Sequence, residues 1–427
     1  MDRGLLSPVT NGHDAAVSDG EVFGALVEVE VALVRIWEGI EAAPEGTAAT
    51  IAETLDGLTI SYEEIAARAV AGGNPVIPLV AELRSHLPED SKPWLHRGAT
   101  SQDILDTALM LMSTRATGDI EEALDQTIEQ LHEIAYAHAN DVAAARTLTQ
   151  HAVPTTIGAR LSGWVRGIER SRSRMSRLEY PAQLGGAGGT LASFVEMIGE
   201  EATKQLPGVF AELLNLSEPD APWQVNRWPV TELGDALAAV IDAAGKIATD
   251  IATLSRTEIG EVSEGVGGGS SAMPQKQNPV EAVLIRSAAI RAPQLAATLH
   301  LASALAADER PDGAWHAEWP TLRELLRLAL GVTAHLHSLI AGLNLDVVAA
   351  ARNVAVTGPL IVSERLGIVL TPYIGAERFT ALIAKANAGA DLAELLRALP
   401  ELDGLDVDEL LDPLNYLGLA PRLAEDS

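Results

Sequence analysis

The chain has 427 residues, with 30 Lys and Arg against 59 Asp and Glu, a net charge of −29, 47% hydrophobic residues and no cysteine. This composition excludes a disordered chain, a disulfide scaffold and a Cys-ligated metal centre. So negative a chain also disfavours non-specific binding to nucleic acid or to an anionic membrane, since both require a basic face. The nearest basic run, Arg170–Arg177, alternates Arg with Ser and Met, and reads as a solvated helix face or a contact within an oligomer. Residues Met1–Ser18 hold no apolar stretch of signal length, and no apolar run of about 18 residues occurs. A soluble, cytoplasmic protein is expected.

In chain order, residues 1–95 are broken by Pro44, Pro75, Pro78 and Pro88, which predicts short helices. Val27 to Val31 alternates like a strand but lies within the helical spacing Phe23, Val27, Val31, Val34, and is read as helix. Ile120, Leu124, Ile128, Leu131 and Ala135 mark one face of a long helix. Further periodic segments run from about Pro154 to Leu178, Thr231 to Thr257, Pro279 to Ala306 and Leu322 to Leu343. Long helices of this kind pack as a bundle. The expectation is an all-α protein of three helical domains, 1–95, a central long-helix bundle 96–342, and 343–427.

Three segments carry chemistry. Gly265 to Pro279 places four glycines ahead of two serines and ends on Asn278-Pro279, a helix cap followed by proline at the first helical position. A helix starting there aims free N–H groups and about half a positive charge at an anion, and Lys276 adds a full charge. His96-Arg-Gly-Ala-Thr-Ser-Gln-Asp103 is a glycine turn leading into a helix cap; capping alone asks for neither His96, Arg97 nor Thr100. Ala145 to Gly158 contains Gln150 and His151 and ends at Pro154, read as opening a long helix. A lone histidine there is a satisfied structural residue or a proton carrier.

Gly269-Ser-Ser-Ala-Met-Pro-Gln-Lys-Gln-Asn-Pro279 resembles the signature loop of the fumarase/aspartase superfamily. The resemblance implies that Ser270 is the acid–base group acting at carbon next to a carboxylate, with Ser271, Met273, Lys276 and Asn278 around the substrate. A serine alkoxide needs N–H donors and a nearby cation to be stabilised. The form His-x-Gly-Ala-Thr-Ser-Gln-Asp is similar to 3-carboxy-cis,cis-muconate cycloisomerases, with adenylosuccinate lyases next. It implies that Thr100, Ser101 and Gln102 bind substrate carboxylates, with His96 and Arg97 beside them.

Where the lyases carry Arg-Thr-His, this chain has Leu148, and the cycloisomerases also lack that histidine; Gln150 and His151 match their Gln-His-Ala. Weaker likenesses run from Leu5-Leu-Ser-Pro8 through Gln183-Leu-Gly-Gly-Ala-Gly-Gly189 to Leu411-Asp-Pro-Leu-Asn-Tyr-Leu-Gly418. Pro222-Trp-Gln-Val-Asn-Arg227 resembles a family stretch with changes in its middle, leaving Arg227 a carboxylate ligand or a helix-end or packing residue.

The resemblance implies lactonisation of a tricarboxylate in aromatic catabolism, without cofactor or metal. It also implies a homotetramer whose sites draw on three subunits. A fumarate-releasing or related lyase is the alternative. The chain's charge does not forbid a trianionic substrate, because scattered carboxylates are screened over roughly 8 Å. Lys276, Arg97, Arg227 and the helix starts after Ser101 and Asn278 are the expected local positive charge.

Overall fold

The computed structural model describes residues 4–265, 268, 269, 273 and 275–426. Helix makes up 66% of the chain and sheet is minimal, as the all-α reading expects. In chain order come α1 (Asp19–Gly39), α2 (Thr47–Leu55), α3 (Tyr62–Gly72), α4 (Val76–His86) and the long α5 (Ser101–Ala137). A hairpin of β1 (Val142–Thr147) and β2 (Gln150–Thr156) leads into α6 (Ile157–Met175). Short helices α7 (Ala192–Ile198), α8 (Glu200–Thr203) and α9 (Leu206–Leu213) precede α10 (Trp228–Leu254), β3 (Val262–Ser263), α11 (Val280–Ala304) and α12 (Gly313–Ala341). Then follow β4 (Asn344–Leu345), α13 (Val347–Thr357), α14 (Ser363–Ile374) and short helices as far as Glu425.

The chain divides into two compact units, each assembled from three separated stretches: Met1–Ala123 with Ser171–Asp242 and Ser287–Ala334, and Leu124–Arg170 with Ala243–Arg286 and His335–Ser427. This differs from three successive domains. The boundaries fall inside α5, α6, α10, α11 and α12, so composition and proline breaks along the chain do not mark them.

In the first unit, α1 starts at Ser18, whose side chain accepts the Glu21 N–H, with Asp19 and Glu21 in its first turn. Leu26, Val29, Leu33 and Trp37 form its buried stripe, at the three- and four-residue spacing of a helix face. The alternating stretch from Val27 to Val31 is helical, as expected. Ile104, Leu105, Ala108 and Met112 of α5, Leu233 and Leu237 of α10, and Leu322, Leu325 and Leu326 of α12 complete this core.

In the second unit, β1 and β2 pair antiparallel with Thr147 opposite Gln150 and Val142 opposite Thr156. The turn consists of Leu148 and Thr149 with φ of 48° and 72°, a left-handed pair that hairpins usually give to Asn or Gly. This corrects the reading of Pro154 as the start of a helix. Pro154 lies in β2 opposite Ala144, beside a register shift, where a missing N–H is tolerated. The helix opens at Ile157, and Thr156 Oγ1 accepts the Ala159 N–H at 3.1 Å. Gly158 is needed there, since a Cβ would sit 2.4 Å from the Ala135 carbonyl oxygen. The apolar stretch Val347–Ile374 is long enough to cross a membrane by length and composition. It is broken by a 3-10 turn at Gly358–Val362, and Val354, Ile361, Val362, Leu366 and Leu370 are buried in this unit's core.

Candidate active site

The segment from His96 to Asp103 is held in the first unit by contacts at almost every residue. His96 adopts φ 57° and its Nδ1 lies 2.6 Å from Oε1 of Glu30, which is fully buried on α1. The Arg97 carbonyl accepts the indole N–H of Trp37, and its guanidinium lies 4.8 Å above the Trp94 ring. Gly98 has φ 82°, and a Cβ there would meet the Phe194 ring at 3.0 Å, so the loop passes over Phe194 only as glycine. Its carbonyl accepts the Ser193 hydroxyl at 2.8 Å.

Asp103, fully buried, ties this segment to the glycine stretch that follows Gln183. Its carboxylate accepts the N–H groups of Thr100 (2.9 Å), Gly185 (2.8 Å) and Gly186 (3.0 Å). Burial pushes its pKa up to about 7, against the pull of these three donors. Gln102 is also fully buried, and its amide donates to Asp106 and to the Gln224 carbonyl. Its amide nitrogen thus braces α5 from within, whereas the expected partner is a carboxylate ligand. Thr100 and Ser101 remain partly exposed at the start of the helix.

Arg227 is 1% exposed. Its guanidinium donates to both oxygens of Asp106 and both of Glu318 and lies 4.7 Å from the Trp223 ring. Of the two roles open to it, this one is internal: the fork is committed to two buried carboxylates, and Arg227 supplies no charge to a substrate. One side chain that sequence reasoning missed lies at the same helix start. Arg310, from the turn between α11 and α12, donates to Thr100 Oγ1 and to the Ala187 carbonyl.

The second unit holds the other candidates. His151 on β2 has its Nδ1 2.8 Å from Thr357 Oγ1 at the end of α13. Burial, and then the charge of Arg146 opposite it on β1, lower its pKa, so the ring is neutral at pH 7. Arg146 and Arg160 converge on Glu261, which also accepts the Asn353 amide at 2.8 Å. Gln150 is exposed near the hairpin tip, and Leu148 is 96% exposed.

In the signature loop, Gly268 and Asn278 exchange both backbone hydrogen bonds at 2.9 Å, closing its base. Met273 accepts the Lys276 N–H through its carbonyl, and both side chains are exposed. Ser270 and Ser271 lie outside the described residues. Helix α11 starts at Val280, and the Glu264 carboxylate accepts the N–H groups of Glu281 (3.2 Å) and Ala282 (2.9 Å). This corrects the expectation of a free helix start after Asn278, because an internal carboxylate already occupies these donors. Local positive charge is therefore left to Lys276, to Arg97 over the Trp94 ring, and to the start of α5 with Arg310 beside it. Among the described residues no group of three or more His, Asp or Glu is arranged to hold a metal ion.

A mostly helical chain of this architecture, with a glycine-rich loop ahead of a long helix and a Thr-Ser helix start, belongs to a class of lyase-family enzymes that act on small molecules. The chain belongs to the fumarase/aspartase superfamily: a family model described as lyase matches residues 28–293. It is 42% identical to a nitrosuccinate lyase of Streptomyces davaonensis, covering 100% of this chain and 94% of that one. It is 36% identical to a 3-carboxy-cis,cis-muconate cycloisomerase of Pseudomonas aeruginosa, covering 96% and 92%. Among solved structures, the 3-carboxy-cis,cis-muconate lactonizing enzyme of Pseudomonas putida matches with a TM-score of 0.87 at 32% identity, over 96% of this chain and 94% of that one.

Proposed function

We propose that this enzyme moves a proton at carbon next to a substrate carboxylate while a neighbouring bond forms or breaks to a group that is stable as an anion. Leu148 carries the reading. It is 96% exposed at the hairpin tip, at the position where, by the resemblance, fumarases, argininosuccinate lyases and adenylosuccinate lyases hold a histidine. A hydrocarbon cannot give a leaving group a proton, so that group must depart, or attack, as a weak base. A carboxylate, whose conjugate acid has a pKa of about 4, meets this condition and an amine does not.

On the primary reading the substrate is 3-carboxy-cis,cis-muconate. One of its carboxylates adds to its own double bond and closes a five-membered lactone, and the displaced electron pair moves onto another carboxylate as an enediolate. Ser270 gives its proton to the adjacent carbon, producing 4-carboxymuconolactone. Lys276 stabilises the developing charge, and Thr100 and Ser101 hold a remote carboxylate. His151, neutral at pH 7, relays a proton from water to the Ser270 alkoxide, its ring taking one proton up as it gives the other away. The 42% identity to a nitrosuccinate lyase favours a second reading. Here Ser270 takes a proton from carbon next to a carboxylate, and the adjacent C–N bond breaks with its electron pair on nitrite, leaving fumarate.

A homotetramer accompanies either reading. Val283, Ile290 and Leu301 are 51%, 77% and 62% exposed along one face of α11, and Leu305 just beyond its end is 69% exposed, an apolar stripe suited to burial between subunits. The deciding experiment supplies each substrate to the purified protein. Loss of the diene absorbance with 3-carboxy-cis,cis-muconate supports lactonisation, and nitrite and fumarate in equal amounts from nitrosuccinate support elimination. Ser270→Ala should lower whichever rate is found by roughly 10²- to 10⁴-fold. A wild type inert with both substrates overturns the reading.

A further inference from the structure

Arg310 lies outside the three segments that carry the resemblance, in a turn rich in carboxylates: Asp308, Glu309 and Asp312. Other arginines of the adjoining helices are ion-paired, Arg291 to Glu324, Arg323 to Asp19 and Arg327 to Asp14. Arg310 has no ion pair among the described residues. One nitrogen, Nη2, makes both of its contacts, at 2.5 Å to Thr100 Oγ1 and at 3.2 Å to the Ala187 carbonyl. The rest of the fork, Nε and Nη1, is left over at an exposed position.

The same helix start offers further donors. The N–H groups of Ser101 and Gln102 have no acceptor among the described residues, because the bonds of this turn begin with the Asp103 and Ile104 N–H groups reaching the Thr100 carbonyl. Thr100 Oγ1 accepts from Arg310, so its own proton is free to be given to a ligand. Asp103 fixes the spacing by holding the Thr100, Gly185 and Gly186 N–H groups together. A planar guanidinium with two unused donor positions beside two N–H groups and two hydroxyls fits a carboxylate held by several charge-assisted bonds.

We propose that Arg310, with Thr100, Ser101 and the start of α5, binds one carboxylate of the substrate, and that this contact selects tricarboxylates over dicarboxylates. The inference rests on the proposed reaction for the identity of the ligand. It assigns the group remote from the reacting carbon, so Arg310 sets affinity and not the rate of proton transfer.

The test measures calorimetric binding of two unreactive probes, propane-1,2,3-tricarboxylate and succinate, to the full-length protein, alongside turnover. Wild type should bind the tricarboxylate more tightly. Arg310→Gln should weaken that binding about 10- to 100-fold, the loss expected for one charge-assisted contact, and leave succinate binding unchanged. In turnover of a tricarboxylate, KM should rise by the same factor with kcat within about twofold. Arg310→Lys, which keeps the charge but loses the fork, should fall between the two. Equal binding of both probes by wild type, or an Arg310→Gln variant indistinguishable from it, overturns the inference. A wild type that prefers the tricarboxylate through Arg310 but converts neither proposed substrate upholds the inference and overturns the reaction.

Discussion

The carboxylate of Glu264 accepts the backbone N–H of Ala282 at 2.9 Å, so the first turn of α11 is closed by a side chain from before the signature loop. Burial raises the Glu264 pKa above its ordinary 4.5 despite the helix N–H groups. The folded state therefore holds its proton to higher pH than the unfolded chain. The contribution of Glu264 to stability falls as pH rises from about 4.5 through the folded value. Glu264→Gln has no such slope, so urea unfolding should give a wild-type advantage that shrinks between pH 4.5 and 7. An advantage that grows with pH would contradict the burial of this carboxylate.

Glu261 should behave in the opposite way. Burial works to raise its carboxyl, but hydrogen bonds from Arg146 and Asn353 and the charge of Arg160 hold it below the usual 4.5. Its stabilisation is present in full above that value and is lost as pH falls through the lower folded pKa. Glu261→Gln should cost on the order of 3 kcal/mol at pH 7, since it strands two arginines, and much less near pH 3. Chemical denaturation at the two pH values checks this; a pH-independent cost would mean that the arginines find other partners.

Arg227→Met separates an internal ion pair from a ligand contact. The variant leaves Asp106 and Glu318 buried without their cation, and breaking a pair of this kind costs about 3–5 kcal/mol. The melting temperature should fall by several degrees. A variant of unchanged melting temperature with only a raised KM would return Arg227 to the substrate.

His151 sets the acid limb of activity if its neutral ring relays the Ser270 proton, because an imidazolium has no free nitrogen to take a proton up. Its lowered pKa places that limb of kcat/KM below pH 6.5, since activity requires the neutral ring. Thr357→Val removes the hydroxyl at Nδ1 and should move the limb, while His151→Asn should abolish it. A limb that persists in His151→Asn assigns it to another group.

The long helices were legible because Ile120, Leu124, Ile128 and Leu131 repeat over several turns, and a repeat of that length has no competing reading. The hairpin was not. Val142-Ala-Ala-Ala145 favours helix by propensity, and what makes it a strand is pairing with residues beyond a turn of two left-handed, non-glycine residues. Thr100 and Ser101 stood out as a helix cap, but Arg310 lies 210 positions away from Thr100, and no local pattern announces their contact. The Glu264 cap was missed for the same reason: a carboxylate 18 positions before Ala282 does not read as part of its helix. Arg227 kept two readings until Asp106 and Glu318 were seen to enclose it.

The hairpin tip bears on how such an enzyme changes its chemistry. Leu148 adopts a backbone shape that glycine or asparagine would take more readily, and its side chain is almost wholly open to solvent. Leu148 is not among the buried residues that make up the described core. Evolution can therefore exchange the residue without first having to repair the fold, and a single codon can add or remove a proton donor on a scaffold that stays the same.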